Sequence, residues 1–510
     1  MTRGSSIMSN SVMNAAAGLL LLVSGFGSSV IVARLLGPEA NGTIAFALWI
    51  AATGALIAEF GTGVLLLRLL PQLKAQGADD RARRGFAAYL ALPVALATTI
   101  LVGLFWSFCW FGGTQWIDST PAAIALTGVL LFVQSIGSLT KNYLIGEQRL
   151  RTFFYFTGIV SALQISVVLA GAYLHGVEGA LIGYIAGQSV LFLYSIRIML
   201  TAPNNAGHSP RTLAGSSMIL FFEFVLTSVF LTRPELVFLQ NFHGAQLVGF
   251  YAVALTLTNL ALQLPIQLTG SLIPFYVERQ HIGEQDASAE IFACVVRNFA
   301  YITFPLCFGL AAISTPLVLS VYGPAFEPAG VIVAIMAVGA PAAVFIQLVT
   351  QYLYAMDRMK YRLAISGLGA VLMVCGCFLV VPQWGGIGAA VIRDLVFLAM
   401  SLALLWSINL KRESRGLTVA IVKIAAAGAL CGLAALAATR MLPGASGLIA
   451  GIVAGAVVYG AMLRLLTAVP KQDAEMLDHL LERLPSEPGR LARRFLGLVA
   501  PGAVTSEAAK

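Results

Sequence analysis

A few ionisable and amide side chains stand inside stretches that are otherwise apolar, and these are where chemistry could be done. The ionisable ones are Arg34, Glu59, Arg233, Glu235, Arg393 and Asp394. An ionisable group within a membrane-spanning helix costs about 2.5–3.5 kcal/mol on insertion scales, so it usually faces a partner or a water-filled cavity. Arginine is suited to carboxylate or phosphate oxygens, which its planar fork matches. The most informative stretch is Leu231-Thr232-Arg233-Pro234-Glu235. Pro234 removes a helix hydrogen bond and disfavours helix at Arg233. Backbone groups freed at membrane depth are tolerated only beside protein or water. Arg233 and Glu235 therefore either line a hydrated cavity or make an interhelical salt bridge that fixes packing. Glu223, flanked by Phe221, Phe222 and Phe224, favours packing.

The amides form a second set. Thr256, Asn259, Gln263 and Gln267 recur at steps of three and four, which is one stripe of a helix, and Gln347 and Gln351 add a pair further on. Such amides either hold helices together or line a polar route. Pro265, Pro274 and Pro341 would bend the same helices. Other chemistry has no carrier. The five His lie in turns or the C-terminal tail, and there is neither a nucleotide-binding loop nor a Ser/His/Asp set. Cys109, Cys294, Cys307, Cys375, Cys377 and Cys431 all fall in apolar runs without metal spacing. Cys375 and Cys377 should point to different helix faces. No catalytic residue, metal or cofactor is expected.

The elements that must position these residues follow from composition. The chain is 58% hydrophobic and 11% charged over 510 residues, against about 25% charged in a soluble domain. Lipid is therefore the solvent for most side chains. A spanning helix needs about 20 apolar residues. Candidate spans cover roughly residues 12–33, 43–67, 86–111, 121–142, 153–174, 179–200, 214–241, 247–272, 292–319, 329–354, 363–382, 387–409, 418–439 and 446–467. The expected fold is an all-α membrane protein of about fourteen transmembrane helices. The first stretch lacks a convincing cleavage site and reads as a spanning helix, not a signal peptide. Past Pro470, residues 473–484 and 490–498 pattern as short amphipathic helices on the membrane surface.

Charge sets the orientation. Of 31 Lys and Arg, all but Arg34, Arg233, Arg393 and Arg440 fall on one side of this layout. The positive-inside rule makes that side cytoplasmic and puts both termini there. The net charge of +8 is thus a topology signal, and no continuous basic face suggests nucleic acid.

The chain also repeats itself. Gly37, Gly42, Ala45, Ala47 and Leu48 match Gly244, Gly249, Ala252, Ala254 and Leu255. Gly176, Gly179 and Ala180 match Gly385, Gly388 and Ala389 at a near-equal offset. Six spans per repeat give both halves the same orientation, related by an axis along the membrane normal, with a substrate site between them. The expected divisions are an N-terminal lobe at 1–205, a C-terminal lobe at 206–412, two extra spans at 413–468 and a cytoplasmic tail at 469–510.

At this point the residues carry a family likeness. The carriers are Ala33-Arg34-Leu35-Leu36-Gly37-Pro38-Glu39 with Gly42, then Ala58-Glu59-Phe60-Gly61 with Arg68. The Gly244–Ala254 turn, Tyr322-Gly323 and Gly385-Gly386-Ile387-Gly388-Ala389-Ala390 follow in order. Over about residues 10–465 the chain resembles polysaccharide-repeat flippases of the Wzx type, in the multidrug/oligosaccharidyl-lipid/polysaccharide exporter superfamily. The resemblance implies two six-helix lobes in a V shape, alternating access and residence in the bacterial inner membrane. It implies translocation of undecaprenyl-diphosphate-linked oligosaccharide to the outer leaflet, for cell-surface polysaccharide or exopolysaccharide biosynthesis. Implied partners are that lipid-linked oligosaccharide, membrane lipids, a glycan polymerase and chain-length machinery. An acidic residue is common in the family where this chain has Arg233-Pro234-Glu235, so the proline is a departure.

Three rivals stand beside it. A multidrug/cation antiporter of the same superfamily would want an acidic cavity without outer cations. A membrane glycan polymerase or ligase would need a sizeable outer loop, and the longest here runs only near Gly112 to Pro121. A scaffold without transport would leave the intramembrane charges without a role.

Overall fold

In a computed structural model, the structure describes residues 3–113, 120–207, 209–269, 272, 276, 287–356, 359–408, 414–442, 444–470, 473, 474 and 497. Among these residues the regular structure is entirely helical. The helices are α1 (Arg3–Glu59), α2 (Thr62–Ala75), α3 (Asp80–Phe108), α4 (Pro121–Gly146), α5 (Leu150–Met199), α6 (Pro210–Val225) and α7 (Glu235–His243). They continue with α8 (Ala245–Leu268), α9 (Ala287–Val321), α10 (Ala329–Ala355), α11 (Met359–Ile408), α12 (Ser414–Met441) and α13 (Gly444–Leu465). The expected tail helices fall outside the described residues, apart from positions 473, 474 and 497.

Among the described residues, ten helical stretches are long and apolar enough to cross a membrane. Three of them, in α1, α5 and α11, are double. Each is broken by a glycine with positive φ, at Gly37, Gly176 and Gly385 respectively. Divided there, the stretches give thirteen segments, in line with a layout of about fourteen transmembrane helices. The stretch from α6 to α7, the expected seventh span, is interrupted by a π-helical stretch at Leu226–Thr232. Span 2 differs from the continuous helix expected over 43–67. It breaks after Glu59, where Phe60 (φ 47) and Gly61 (φ 73) are both left-handed and α2 starts afresh at Thr62.

Helix starts follow local chemistry. Asp79 caps α3 by accepting from the Ala82 amide at 2.8 Å, and Thr120 caps α4 by accepting from the Ala123 amide at 3.1 Å, with Pro121 next.

The chain forms two compact units. The first takes residues 1–253 and 370–389; the second takes 254–369 and 390–510. In the first unit, small residues let backbones approach, as lipid-embedded packing requires. Gly171 and Gly179 face each other across the α5 break so closely that a Cβ on either would overlap the other's carbonyl. Hydroxyl pairs then tie helices together. Thr98 and Ser135 join α3 to α4 at 2.6 Å, and Thr140 and Ser195 join α4 to α5 at 2.6 Å. Leu66, Leu70, Phe86 and Tyr143 are fully buried at one end of the unit.

The two repeated turns meet in this unit. Gly37 (φ 83, ψ −176) and Gly244 (φ 79, ψ −176) adopt the same conformation. A Cβ at Gly42 would overlap the Ala245 carbonyl, and one at the matching Gly249 would overlap the Pro38 carbonyl. Pro38 is the repeat-mate of Ala245, so the contact is reciprocal, as in a two-fold interface. The Asn41 amide adds a hydrogen bond to the Gly249 carbonyl at 3.2 Å.

In the second unit, α12 and α13 pack through Gly451 and Gly455 against Ala435 and Cys431, while Gly428 and Gly432 seat α12 on Phe304 and Phe308 of α9. Cys431 acts there as a small apolar residue. Cys375 is exposed and Cys377 buried, the opposite faces expected of them.

Candidate functional site

In the first unit Glu59 is the last residue of α1, at the double left-handed turn. Its carboxylate lies near Ser138 of α4, whose hydroxyl donates to the Ser135 carbonyl at 2.7 Å, and feels the charge of Lys141 one turn further. Gly63 keeps this corner open. A Cβ there would collide with the Asn142 amide and approach a Glu59 carboxylate oxygen. Backbone oxygens freed by the turn are taken up locally. Thr62 donates to the Glu59 carbonyl at 2.7 Å, and Ser217 of α6 donates to the Phe60 carbonyl. Glu59, Ser138, Lys141 and Asn142 thus form a polar corner that sequence spacing did not bring together.

The expected break at Pro234 is present and larger than one proline requires. The π-helical stretch precedes it, and the Thr232 hydroxyl donates to the Thr227 carbonyl at 2.7 Å. Arg233 then leaves helical geometry at φ −148, ψ 35. Pro234 restarts the chain as α7, whose first residue is Glu235. Burial separates the two charges: Arg233 is exposed and Glu235 is 0% exposed. A carboxylate in a first helical turn is favoured by the unpaired amides and the helix dipole. Arg34 is exposed on the first arm of α1, just before the Gly37 break.

In the second unit the α8 stripe grades in exposure. Asn259 and Gln263 are half-buried, and Gln267, near the end of α8, is exposed. Gln347 and Gln351 are half-buried on α10. Arg393 lays its guanidinium over the Phe397 ring at 4.8 Å. Asp394 packs against Gly339 of α10, where any side chain would collide with its carboxylate. Arg393 and Asp394, adjacent in sequence, thus enter different surroundings.

Two ionic clusters escaped the sequence reading, which counted their arginines only as topology charges. In the first unit, Arg83 grips the buried Glu147 with two bonds, at 2.7 and 3.2 Å. Asp80 joins Arg83 at 3.3 Å, Arg84 at 2.8 Å and Arg149. In the second unit, Arg297 makes two 2.6 Å bonds to Asp473, which is 0% exposed. Tyr301 donates to Asp473 at 3.1 Å. For the first cluster the signal was present in the acids: Asp80 and Glu147 interrupt segments otherwise dominated by Lys and Arg.

Residues 31–331 match the family model described as polysaccharide biosynthesis protein. No curated protein matches the chain. Among solved structures, the fold is similar to lipid II flippase MurJ in an inward closed conformation, at 15% identity and a TM-score of 0.68. That likeness covers 89% of this chain and 98% of the other. An inward-facing multidrug resistance MATE transporter of the MOP superfamily gives 14% identity and a TM-score of 0.61 over 77% of this chain and 95% of its own. A MOP superfamily transporter from Pyrococcus furiosus, described by a binding pocket of reverse polarity, gives 13% and 0.51 over 80% and 96%. The chain therefore belongs to the polysaccharide biosynthesis protein family, and it carries the multi-pass helical fold of the MOP-superfamily transporters.

Proposed function

We propose that this protein flips a diphosphate-linked, lipid-anchored oligosaccharide from the cytoplasmic to the outer leaflet of a bacterial inner membrane. Residues 1–205 and 206–412 would act as two lobes in alternating access, with both termini cytoplasmic. Undecaprenyl diphosphate is the proposed carrier, and a glycan polymerase and chain-length machinery are the proposed partners. The family description supports a role in polysaccharide synthesis, and one structure of similar fold is named a lipid II flippase.

The observation that carries the reading is the broken helix at Leu226–Glu235, which presents Arg233 exposed beside freed backbone. Anion recognition uses such a cation, with Arg34 or Arg393 assisting. The inside-negative potential favours outward movement of the anion, by about 4.6 kcal/mol per 100 mV for two charges. The test is a flipping assay in proteoliposomes with undecaprenyl-diphosphate-linked glycan. Arg233→Ala should abolish flipping while membrane abundance stays normal. Normal flipping by Arg233→Ala would overturn the site. Transport of cationic drugs with no movement of lipid-linked glycan would overturn the substrate class.

A further inference from the structure

In the first unit an open cleft of 530 Å³ is lined by Asp79, Asp80, Arg81, Arg84 and Thr201. Small-molecule sites run about 300–1,000 Å³. Its walls are the start of α3 and the chain leaving α5, and these are fastened together. The Asn204 amide donates to the Gly85 carbonyl at 3.0 Å, and a Cβ at Gly85 would press on the Ala202 carbonyl. Both acids in the wall are already engaged. Asp79 accepts from the Ala82 amide, and Asp80 is held by Arg83, Arg84 and Arg149. Cations are in excess around them: Lys74, Arg81, Arg83, Arg84 and Arg149 outnumber Asp79, Asp80 and Glu147. Arg81 is exposed and has no hydrogen bond or ion pair among the described residues. Arg197, in the last turn of α5, is likewise exposed and unpaired among them.

The surroundings select the source of an anion. The stretches apolar enough to cross a membrane begin at Asp80 in α3 and end at Met199 in α5, so the cleft sits where the headgroups of a bilayer lie. Leu193, Ile196 and Leu200 recur at steps of three and four and are exposed, at 64%, 37% and 82%. This apolar stripe runs beside Arg197 to Thr201 at the cleft. A free phosphate would meet the cations and leave the stripe uncovered. A zwitterionic lipid would cover the stripe and bring no net charge to the cations. An anionic phospholipid answers both, since guanidinium forks match phosphate oxygens and basic pockets between membrane helices take such headgroups. We infer that this cleft binds the headgroup of an anionic phospholipid whose acyl chains lie along Leu193, Ile196 and Leu200. The site lies within one unit and does not rest on the flippase reading.

The test is native mass spectrometry of the full chain in detergent. The competing probes are phosphatidylglycerol and phosphatidylethanolamine with identical acyl chains. Phosphatidylglycerol should be retained about tenfold more, a difference of about 1.4 kcal/mol. Arg81→Gln with Arg197→Gln should bring the two lipids to near-equal retention. Arg81→Gln alone should lower the preference about threefold, and it decides the matter if the double variant fails to fold. Arg440→Gln with Arg464→Gln removes the same charge in the second unit and should keep the preference. Leu193→Ser with Leu200→Ser should weaken phosphatidylglycerol retention with every cation intact. Excess inorganic phosphate should not displace the lipid. Equal retention of phosphatidylethanolamine by the unaltered chain would overturn the proposal. So would undiminished preference without Arg81 and Arg197, or the same loss without Arg440 and Arg464, which would show diffuse surface charge only. Displacement by inorganic phosphate, or full retention by the Leu193/Leu200 variant, would show a free-anion site and overturn it too. Because binding is read directly, loss of glycan flipping in any variant leaves this outcome separate from the transport proposal.

Discussion

Arg233 and Glu235 stand two residues apart yet meet opposite environments, exposed and fully buried. That contrast is the residue-scale argument for a working cation. Arg233→Lys keeps the charge and loses the fork, so flipping should be partial where Arg233→Ala abolishes it. The competing packing role makes a different forecast: Arg233→Ala would lower membrane abundance, and a second change at Glu235 or Asp394 would restore it. A transport assay run beside an abundance blot separates the two. The Arg297–Asp473 pair yields a stability prediction. Removing one partner of a buried ion pair leaves a stranded charge and typically costs about 3–5 kcal/mol. Asp473→Ala should therefore lower the melting temperature of the purified protein by several degrees. Arg297→Met combined with Asp473→Leu should recover most of the loss, since apolar replacement of a buried pair is often neutral. Wild-type melting in Asp473→Ala would show that the pair holds nothing together. Asp394 was legible as an odd residue in an apolar run.

Elements are governed here by paired glycines. Gly176 (φ 58, ψ −132) and Gly385 (φ 53, ψ −135) break α5 and α11 in the same conformation. Gly37 and Gly244 form the second matched pair. Matches that were short in sequence are thus matches of backbone geometry. The conformation at Gly37 and Gly244 is nearly closed to other residues and costs on the order of 1–3 kcal/mol for them. Gly37→Ala and Gly244→Ala should each lower thermal stability, and by similar amounts because their conformations coincide. Gly42→Val and Gly249→Val should be worse, because each must push a backbone carbonyl away. Unequal effects, with one glycine of a pair fully replaceable, would argue against equivalent roles. The break at Phe60–Gly61 was less legible, since Gly61 alone inside an apolar run is compatible with continuous helix.

For the whole molecule, the strongest forecast concerns orientation. It is read best on a background lacking all six native cysteines. Single cysteines near Thr114 and Phe326 should react with an impermeant reagent from outside, and those at Gly77 and Glu413 should not. Outside labelling at Gly77 would reverse the topology, because the loop from Arg68 to Arg84 carries five of the cations whose bias sets it.

The sequence by itself determined the helical crossings, the broken seventh span and the repeated turns. Each is written in contiguous chain: apolar length sets a span, a proline in an apolar run breaks one, and a glycine with positive φ marks a turn. Tertiary structure decided which polar groups meet. Glu59 with Ser138, Arg83 with Glu147, Arg297 with Asp473, and Asp394 with Gly339 join residues far apart in sequence. Their pairing depends on how close two helices come and which faces they turn to each other. In a membrane that closeness is set by small residues and hydroxyls scattered along distant helices, because lipid is as apolar as the side chains and gives no hydrophobic pattern to read.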